Sequence, residues 1–486
     1  MAEGRPGHGE AAPGDHLQTG YQLWLVGHQL EHGRAPWRDP YSFQPVVEPR
    51  VNFAGWPFGL PYWPLQEAFG TVAAWNVFLL VAFLGAGGFA ALWLRELRLR
   101  RGAAVAGGLA YCLAPYLAGQ ASAGHLLAWV SMLLPLALFA FERGLRHSTW
   151  WFAVAAVALA SIPLSGQVHL ALGAIPFFLL YALCRGRARA VAVGSTLLAV
   201  AAGLFVYFVA IRDTTGSGGR SFAQVERYSA EGADFLSRDV RHGIESFVFL
   251  GWATPLVALA GLAVLVFERR LRLALALGLG ALVPIVLALG ANVPGYETLW
   301  RNLPGLDSTR VPERLMPVAC LALAALVGVA VSRLRWPGTA ALVTVLLLVD
   351  LHVNVFEPTA ADEDNRAYAA LRSSPPGQLL ELPVFLPDRQ EASVYLYYLM
   401  QAPRDHPSGY STTAPRAADK QLRELHAGLC GDQRARARTR QRLNLLGVRY
   451  IAVHERLYTA ETCEPRAPRG RGVRGGRVVL LRSTGS

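Results

Sequence analysis

The sequence predicts a polytopic helical membrane protein that ends in a small polar α/β domain. Three observations predict it. The 486 residues are 53% hydrophobic and only 16% charged, whereas a soluble domain carries about a quarter charged residues. Apolar runs close to the ~20 residues needed to cross a bilayer recur from residue 70 to residue 355. After Phe356 the chain is polar to its end, with short runs of branched residues alternating with helix-like stretches. The chain thus divides into an N-terminal loop (1–69), a helical bundle (70–355) and a C-terminal domain (356–486).

The formal charge of +12 raises nucleic acid as a partner, but its distribution argues against one. The arginines stand in short clusters between apolar runs, as the positive-inside rule expects of a membrane protein. Lys420 is the only lysine, a compositional bias rather than a ligand signature.

Residues 1–13 are rich in Gly, Pro and Ala and read as disordered. The stretch 14–64 is the only long polar segment ahead of the apolar runs. In it Leu17, Tyr21, Trp24, Leu25 and Val26 recur at near-helical spacing, which predicts an amphipathic helix lying in the membrane interface, a depth that suits its Trp. Gly33, Pro36 and Pro40 break that helix, and FAGWPFGLPYWP (53–64) reads as irregular.

Ten spans are expected, at 70–94, 103–119, 125–142, 150–165, 167–184, 190–211, 247–267, 272–290, 316–333 and 337–355. The connections at 95–101, 142–147, 185–190, 268–272 and 332–336 are short and basic, hence cytoplasmic; those at 119–125, 165–169, 212–246 and 291–315 are longer or less basic and go outside. This alternation puts the N-terminal stretch and the C-terminal domain outside. Nothing before residue 70 would carry the N-terminus across, so a further span upstream of this sequence is expected; a short tail translocated without a signal is the alternative.

In the polar C-terminal part, LLELPVF (379–385) and GVRYIAVH (447–454) read as strands, and 421–430 and 436–446 as helices. The Arg- and Gly-rich stretch 464–477 reads as a loop before a last strand; an RNA-binding tail is the competing reading, which an extracytoplasmic location disfavours. The five cysteines include no CxxC pair. Cys112, Cys184 and Cys320 fall in or beside apolar runs and read as packing residues. Cys430 and Cys463 could form a disulfide in an oxidising compartment, although sequence alone does not show them close.

Several blocks carry a family likeness: GDHLQTGYQLWLVGHQLEHGRAPWRDPYSF (14–43), AYCLAPYLAGQASAGHLLAWVSMLLPLALFAFERGLR (110–146), LPGLDSTRVPERL (303–315), LLELPVF, PSGYS (407–411) and LLGVRYIAVH (445–454). Together they resemble the GT-C class of multi-span membrane glycosyltransferases, and more closely the YfhO-like bacterial membrane proteins. The resemblance implies transfer of a sugar from a polyprenyl-phosphate donor to a glycan, lipid or protein acceptor outside the membrane. It also implies an acidic residue in the first outer loop, at the end of the first span. That span is the one this sequence departs from, which bears directly on Asp15.

Inverting sugar transfer needs a base for the acceptor proton and cations for the departing phosphate. Asp15 is the candidate base, with helix N-capping as its structural alternative. Arg310 and Arg314 stand four apart around Pro312; in a helix they would share a face and grip one phosphate, the alternative being interfacial snorkelling. Gln18, Glu48, His125, Gln167 and Tyr228 are the candidates for contacting substrate, with Arg220, Arg227 and His169 weaker ones. Glu48 beside Arg50 also reads as a solvated ion pair, and Asp39 before Pro40 as a turn residue. Asp234, Glu226 and Asp307 are further outer acids. The first loop has no DxD and no acidic pair at metal-ligand spacing, so no cofactor is assigned and a divalent metal stays open. The loop tryptophans read as an aromatic belt. Two rivals to an enzyme remain. A non-catalytic envelope assembly protein would share the architecture. A lipid or sugar transporter is disfavoured because the spans carry almost no internal charge, Asp350 excepted.

Overall fold

The computed structural model describes residues 1–3, 10–47, 50–215, 220–303, 305–334, 336–459, 462–464 and 472–482. Glu48, a candidate above, lies outside the described residues, as does most of the Arg/Gly-rich stretch after Glu464. By contact the chain forms two compact units. One comprises Met1–Phe78, Phe208–Gly218 and Glu357–Ser486, the other Leu79–Tyr207 and Gly219–Phe356.

The second unit is a helical bundle. At its centre runs Met316–Ser332, apolar on every side and buried along nearly its whole length, as a helix without a polar stripe must be. Small residues let its neighbours come close. A Cβ on Gly261 would collide with the Leu326 carbonyl, so only glycine permits helix Ala253–Phe267 to lie where it does against the central helix.

Among the described residues six helices are long and apolar enough to cross a membrane, and seven if Arg101–Cys112 and Pro115–Ser122, bent by 43°, count as one span. The chain is thus a multi-pass membrane protein, but the expected count of ten is not reached by this measure. The shortfall falls on three expected spans. Trp150–Leu164, Ala253–Phe267 and Pro337–Leu351 have 15 residues each. At 1.5 Å per residue a 15-residue helix covers about 22 Å, against about 30 Å of hydrocarbon. The bend arises at Pro115, which cannot continue the preceding helix and starts the next one instead. Gly70 (φ 76°, ψ 172°) breaks helix Gly59–Glu96, which already begins within the stretch 53–64 that the sequence reading took as irregular.

The first unit carries a four-stranded sheet in the order Gln378–Leu382, Val448–His454, Val478–Arg482, Val473–Gly475. The first two strands are parallel and joined by a helical crossover; the other pairings are antiparallel. Side chains alternate with period two, so both faces are covered. Leu379, Tyr450 and Leu480 pack under helices Arg366–Arg372 and Ser393–Gln401, whereas Leu380, Ile451 and Val453 pack under Arg416–Cys430.

Helix Asp15–Glu31 belongs to this unit and corrects an expectation. A helix lying in the interface would expose one polar face; here Leu17, Tyr21, Trp24, Leu25 and Val26 are buried, and so are His16, Thr19 and Gln29 on other sides. Tyr21, Trp24 and Leu25 pack against Leu396 and Leu399 of helix Ser393–Gln401. The apolar periodicity marked a tertiary contact rather than a lipid-facing stripe.

Candidate functional site

Within the bundle unit, basic residues from three distant stretches meet beside the start of helix Val168–Arg185. Gln167 stands immediately before that helix, and His169 lies in its first turn. Electrostatically His169 senses Arg314, Arg220, Arg310 and Glu245, which places all four near it. Its buried Nε2 makes no hydrogen bond with the described residues.

The arginines reach this position through the segment before the central helix. Trp300 Nε1 donates to the Thr309 carbonyl (2.9 Å), and the Arg220 amide donates to that of Asp307 (3.1 Å), so the long loop and this segment are tied together. Pro312 then opens a 3-10 turn, Pro312–Leu315, and forces Val311 into an extended conformation (φ −125°, ψ 92°). Arg310 and Arg314 therefore do not share one helical face, as an α-helix through 310–314 would have required. Arg310 lies 5.4 Å over the Tyr228 ring, which Arg227 also approaches at 5.7 Å. Arg314 donates to Glu245 Oε1 at 3.0 Å. Arg220 is held below the usual guanidinium pKa, by burial first and then by Arg310 and Arg314. Three guanidiniums that repel one another at one spot are a constellation suited to an anion.

His125 joins the same cluster. Its Nδ1 lies 2.7 Å from Gln120 Oε1, and its Nε2 lies 3.9 Å from Glu245. Glu313, fully buried, and Tyr116, also buried, complete the polar set around Arg314 and Glu245. The bundle unit thus brings together His125, Tyr228, Arg310 and Arg314 of the expected set, with Gln167 next to His169. The sequence reading missed Glu245, Glu313 and Tyr116.

In the other unit, Asp15 is the first residue of its helix, half-buried, and the capping position belongs to Gly14, with no side-chain cap. The Tyr410 hydroxyl donates to Asp15 Oδ1 at 2.6 Å, and Gln18 Nε2 donates to the Tyr410 carbonyl at 2.7 Å. Gln18 and Tyr410, with Asp39 and Asn52, line a small cleft.

The remaining acids are explained locally. Asp39 makes the expected turn, accepting from the Tyr41 amide (3.0 Å) and the Ser42 hydroxyl (2.6 Å). Asp234 closes a capping box with Glu231 and faces Arg241 at 3.4 Å. Asp350, near the end of the last expected span, accepts the Trp252, Ala253 and Thr254 amides at the start of helix Ala253–Phe267. Among the described residues the groups able to hold a metal are His28, Glu31 and His32, and His426, Cys430 and Cys463. Asp15 is in neither.

No protein-family model matches the sequence, and no curated protein does. Among solved structures, the chain is similar to the arabinofuranosyltransferase AftD from Mycobacteria. The TM-score is 0.52 at 15% identity, over 92% of this chain and 35% of that one; a second class of the same protein gives 0.50 at 14%, over 92% and 37%. The oligosaccharyltransferase of Archaeoglobus fulgidus in its apo form is matched at TM-score 0.49 and 12% identity, over 91% of this chain and 66% of that one. The chain spans about a third of AftD, and the likeness to AftD is one of fold. It supports the GT-C class fold.

Proposed function

We propose that the chain is a membrane glycosyltransferase that moves a sugar from a polyprenyl-phosphate carrier to a cell-envelope acceptor outside the membrane, in the manner of the GT-C class its sequence resembles. The observation that carries this reading is the gathering of Arg220, Arg310 and Arg314 beside His169 in a bundle of GT-C type. In the proposed reaction the acceptor oxygen attacks the anomeric carbon and the bond from that carbon to the phosphate oxygen breaks. The electron pair leaves with the carrier phosphate. Arg310 and Arg314 hold the phosphate as its charge grows, while Asp15 takes the acceptor proton. Gln18 and, in the bundle, His125, Gln167 and Tyr228 are assigned to sugar and carrier contacts; Glu48 is retained as a further substrate contact. The positive-inside pattern supports an outer location for the first loop and the C-terminal domain.

The test is sugar transfer by the purified full chain in lipid nanodiscs, using a panel of synthetic polyprenyl-phosphate pentoses and hexoses and an envelope glycan fraction as acceptor. Asp15→Asn is expected to slow transfer by about 10²–10⁴ without changing the melting temperature. Transfer by Asp15→Asn at the wild-type rate would remove Asp15 from the mechanism. Failure of every donor with folded protein would favour the assembly-protein reading.

A further inference from the structure

The C-terminal domain contains a polar cluster that sugar transfer does not use. Helix Arg416–Cys430 presents His426 and Cys430 one turn apart, and Cys430 is bridged to Cys463, as the sequence allowed. Next to Cys463, the buried Glu464 accepts the Val384 amide at 3.0 and 2.9 Å through its two oxygens. Its Oε1 lies 3.1 Å from His426 Nδ1. An ionised carboxylate can only accept, so this contact puts the proton on Nδ1 and leaves the lone pair on Nε2. Nε2 lies 3.8 Å from Cys430 Sγ and 3.9 Å from Cys463 Sγ. A disulfide has no hydrogen to offer that lone pair. A carboxylate behind an imidazole whose other nitrogen addresses two sulfurs is the arrangement that orients histidine on a metal. With Zn–S near 2.3 Å and Zn–N near 2.0 Å, a tetrahedral site has N···S edges of about 3.6 Å, close to the spacing present. Cys463 is exposed, which gives an ion a way in.

We propose that His426 Nε2, Cys430 Sγ and Cys463 Sγ form a zinc site whenever the disulfide is reduced, with Glu464 as its positioning carboxylate. Zinc and the disulfide exclude each other. Reduction by a dithiol or a phosphine supplies two electrons and two protons and yields two thiols. Zinc displaces both thiol protons, so two thiolates and a neutral imidazole balance its charge, and water takes the fourth position. Oxidation reverses this: two thiolates lose two electrons to an oxidant such as a disulfide, the S–S bond forms, and zinc is released.

The test uses the full chain in detergent with Co²⁺ as the optical probe, before and after reduction by a phosphine. The reduced wild type is expected to take up a single equivalent, with thiolate-to-cobalt charge-transfer absorption that zinc abolishes, and the oxidised protein to show none. Glu464→Gln should weaken binding about 10-fold or more, and His426→Ala further. His426→Ala retains both cysteines, and an unchanged melting temperature in the oxidised state shows that it folds. Absence of the thiolate band in reduced wild type would overturn the proposal, as would equal affinity in His426→Ala.

Discussion

The two ends of helix Val168–Arg185 treat arginine in opposite ways. At its last residue, Arg185 donates to Glu142 Oε2 at 3.0 Å; Glu142 is fully buried and also accepts the Tyr181 hydroxyl at 2.5 Å. Beside it Arg143 pairs with Glu96 at 3.0 Å, and Arg146 lies 3.9 Å from Glu142. There each arginine is answered by a carboxylate, and the network reads as a structural clasp. At the first turn the carboxylate of Glu245 answers Arg314 at 3.0 Å, while Arg310 lies over the Tyr228 ring and Arg220 senses the charge of both neighbouring arginines. Charges neutralised within the fold stabilise it, whereas like charges gathered at cost point to a ligand that relieves the repulsion.

Substitutions can break this contrast, and the largest expected effect is on transfer. Arg314→Ala and Arg310→Ala should each lower the rate by about 10²–10³, the size seen when one donor to a developing anion is removed, with melting temperature nearly unchanged. Arg143→Ala, at the other end, should leave the rate alone. The converse concerns stability. Arg185→Ala strands the carboxylate of Glu142 and should cost about 3 kcal/mol, read as a lower melting temperature in detergent, while the folded fraction transfers sugar normally. If Arg185→Ala instead leaves stability intact and abolishes transfer, the two ends have been assigned the wrong way round.

Smaller effects sharpen the comparison. Tyr228→Ala removes the ring beneath Arg310, an interaction worth about 0.5–1 kcal/mol, and should raise the KM for donor a few-fold with kcat little changed. The last effect sets the pH at which to compare the ends. Burial lowers the pKa of His16 from 6.5 to about 4. Between those values the unfolded chain binds the extra proton, so stability is full above pH 6.5 and falls as pH drops toward 4. Melting temperature against pH should show this slope, and His16→Gln should lessen it, with His28, which burial also lowers to about 4, supplying the rest. Transfer rates are therefore best compared above pH 6.5.

Much of the bundle was legible because its cause is local. Apolar length marks helices wherever they lie, and Asp39 before Pro40 marks a turn. Arg310 and Arg314 drew notice as arginines on an expected outer loop. Glu245 gave no such signal: it lies in a 3-10 turn within a long aperiodic segment and meets Arg314 across 69 residues. Glu313 drew no notice in the sequence, and the 3-10 turn that Pro312 opens holds it fully buried. Helix Asp15–Glu31 misled for a related reason. An amphipathic pattern says that one face is covered, not whether lipid or Leu396 and Leu399 cover it.

The most direct measurement is binding of a polyprenyl monophosphate to the purified full chain, compared with the uncharged polyprenol of the same length. The account predicts that wild type prefers the phosphate at least 10-fold, and that Arg310→Ala combined with Arg314→Ala removes this preference while polyprenol binding and melting temperature stay put. Equal binding of phosphate and polyprenol by wild type, or a preference that survives the double substitution, would contradict it.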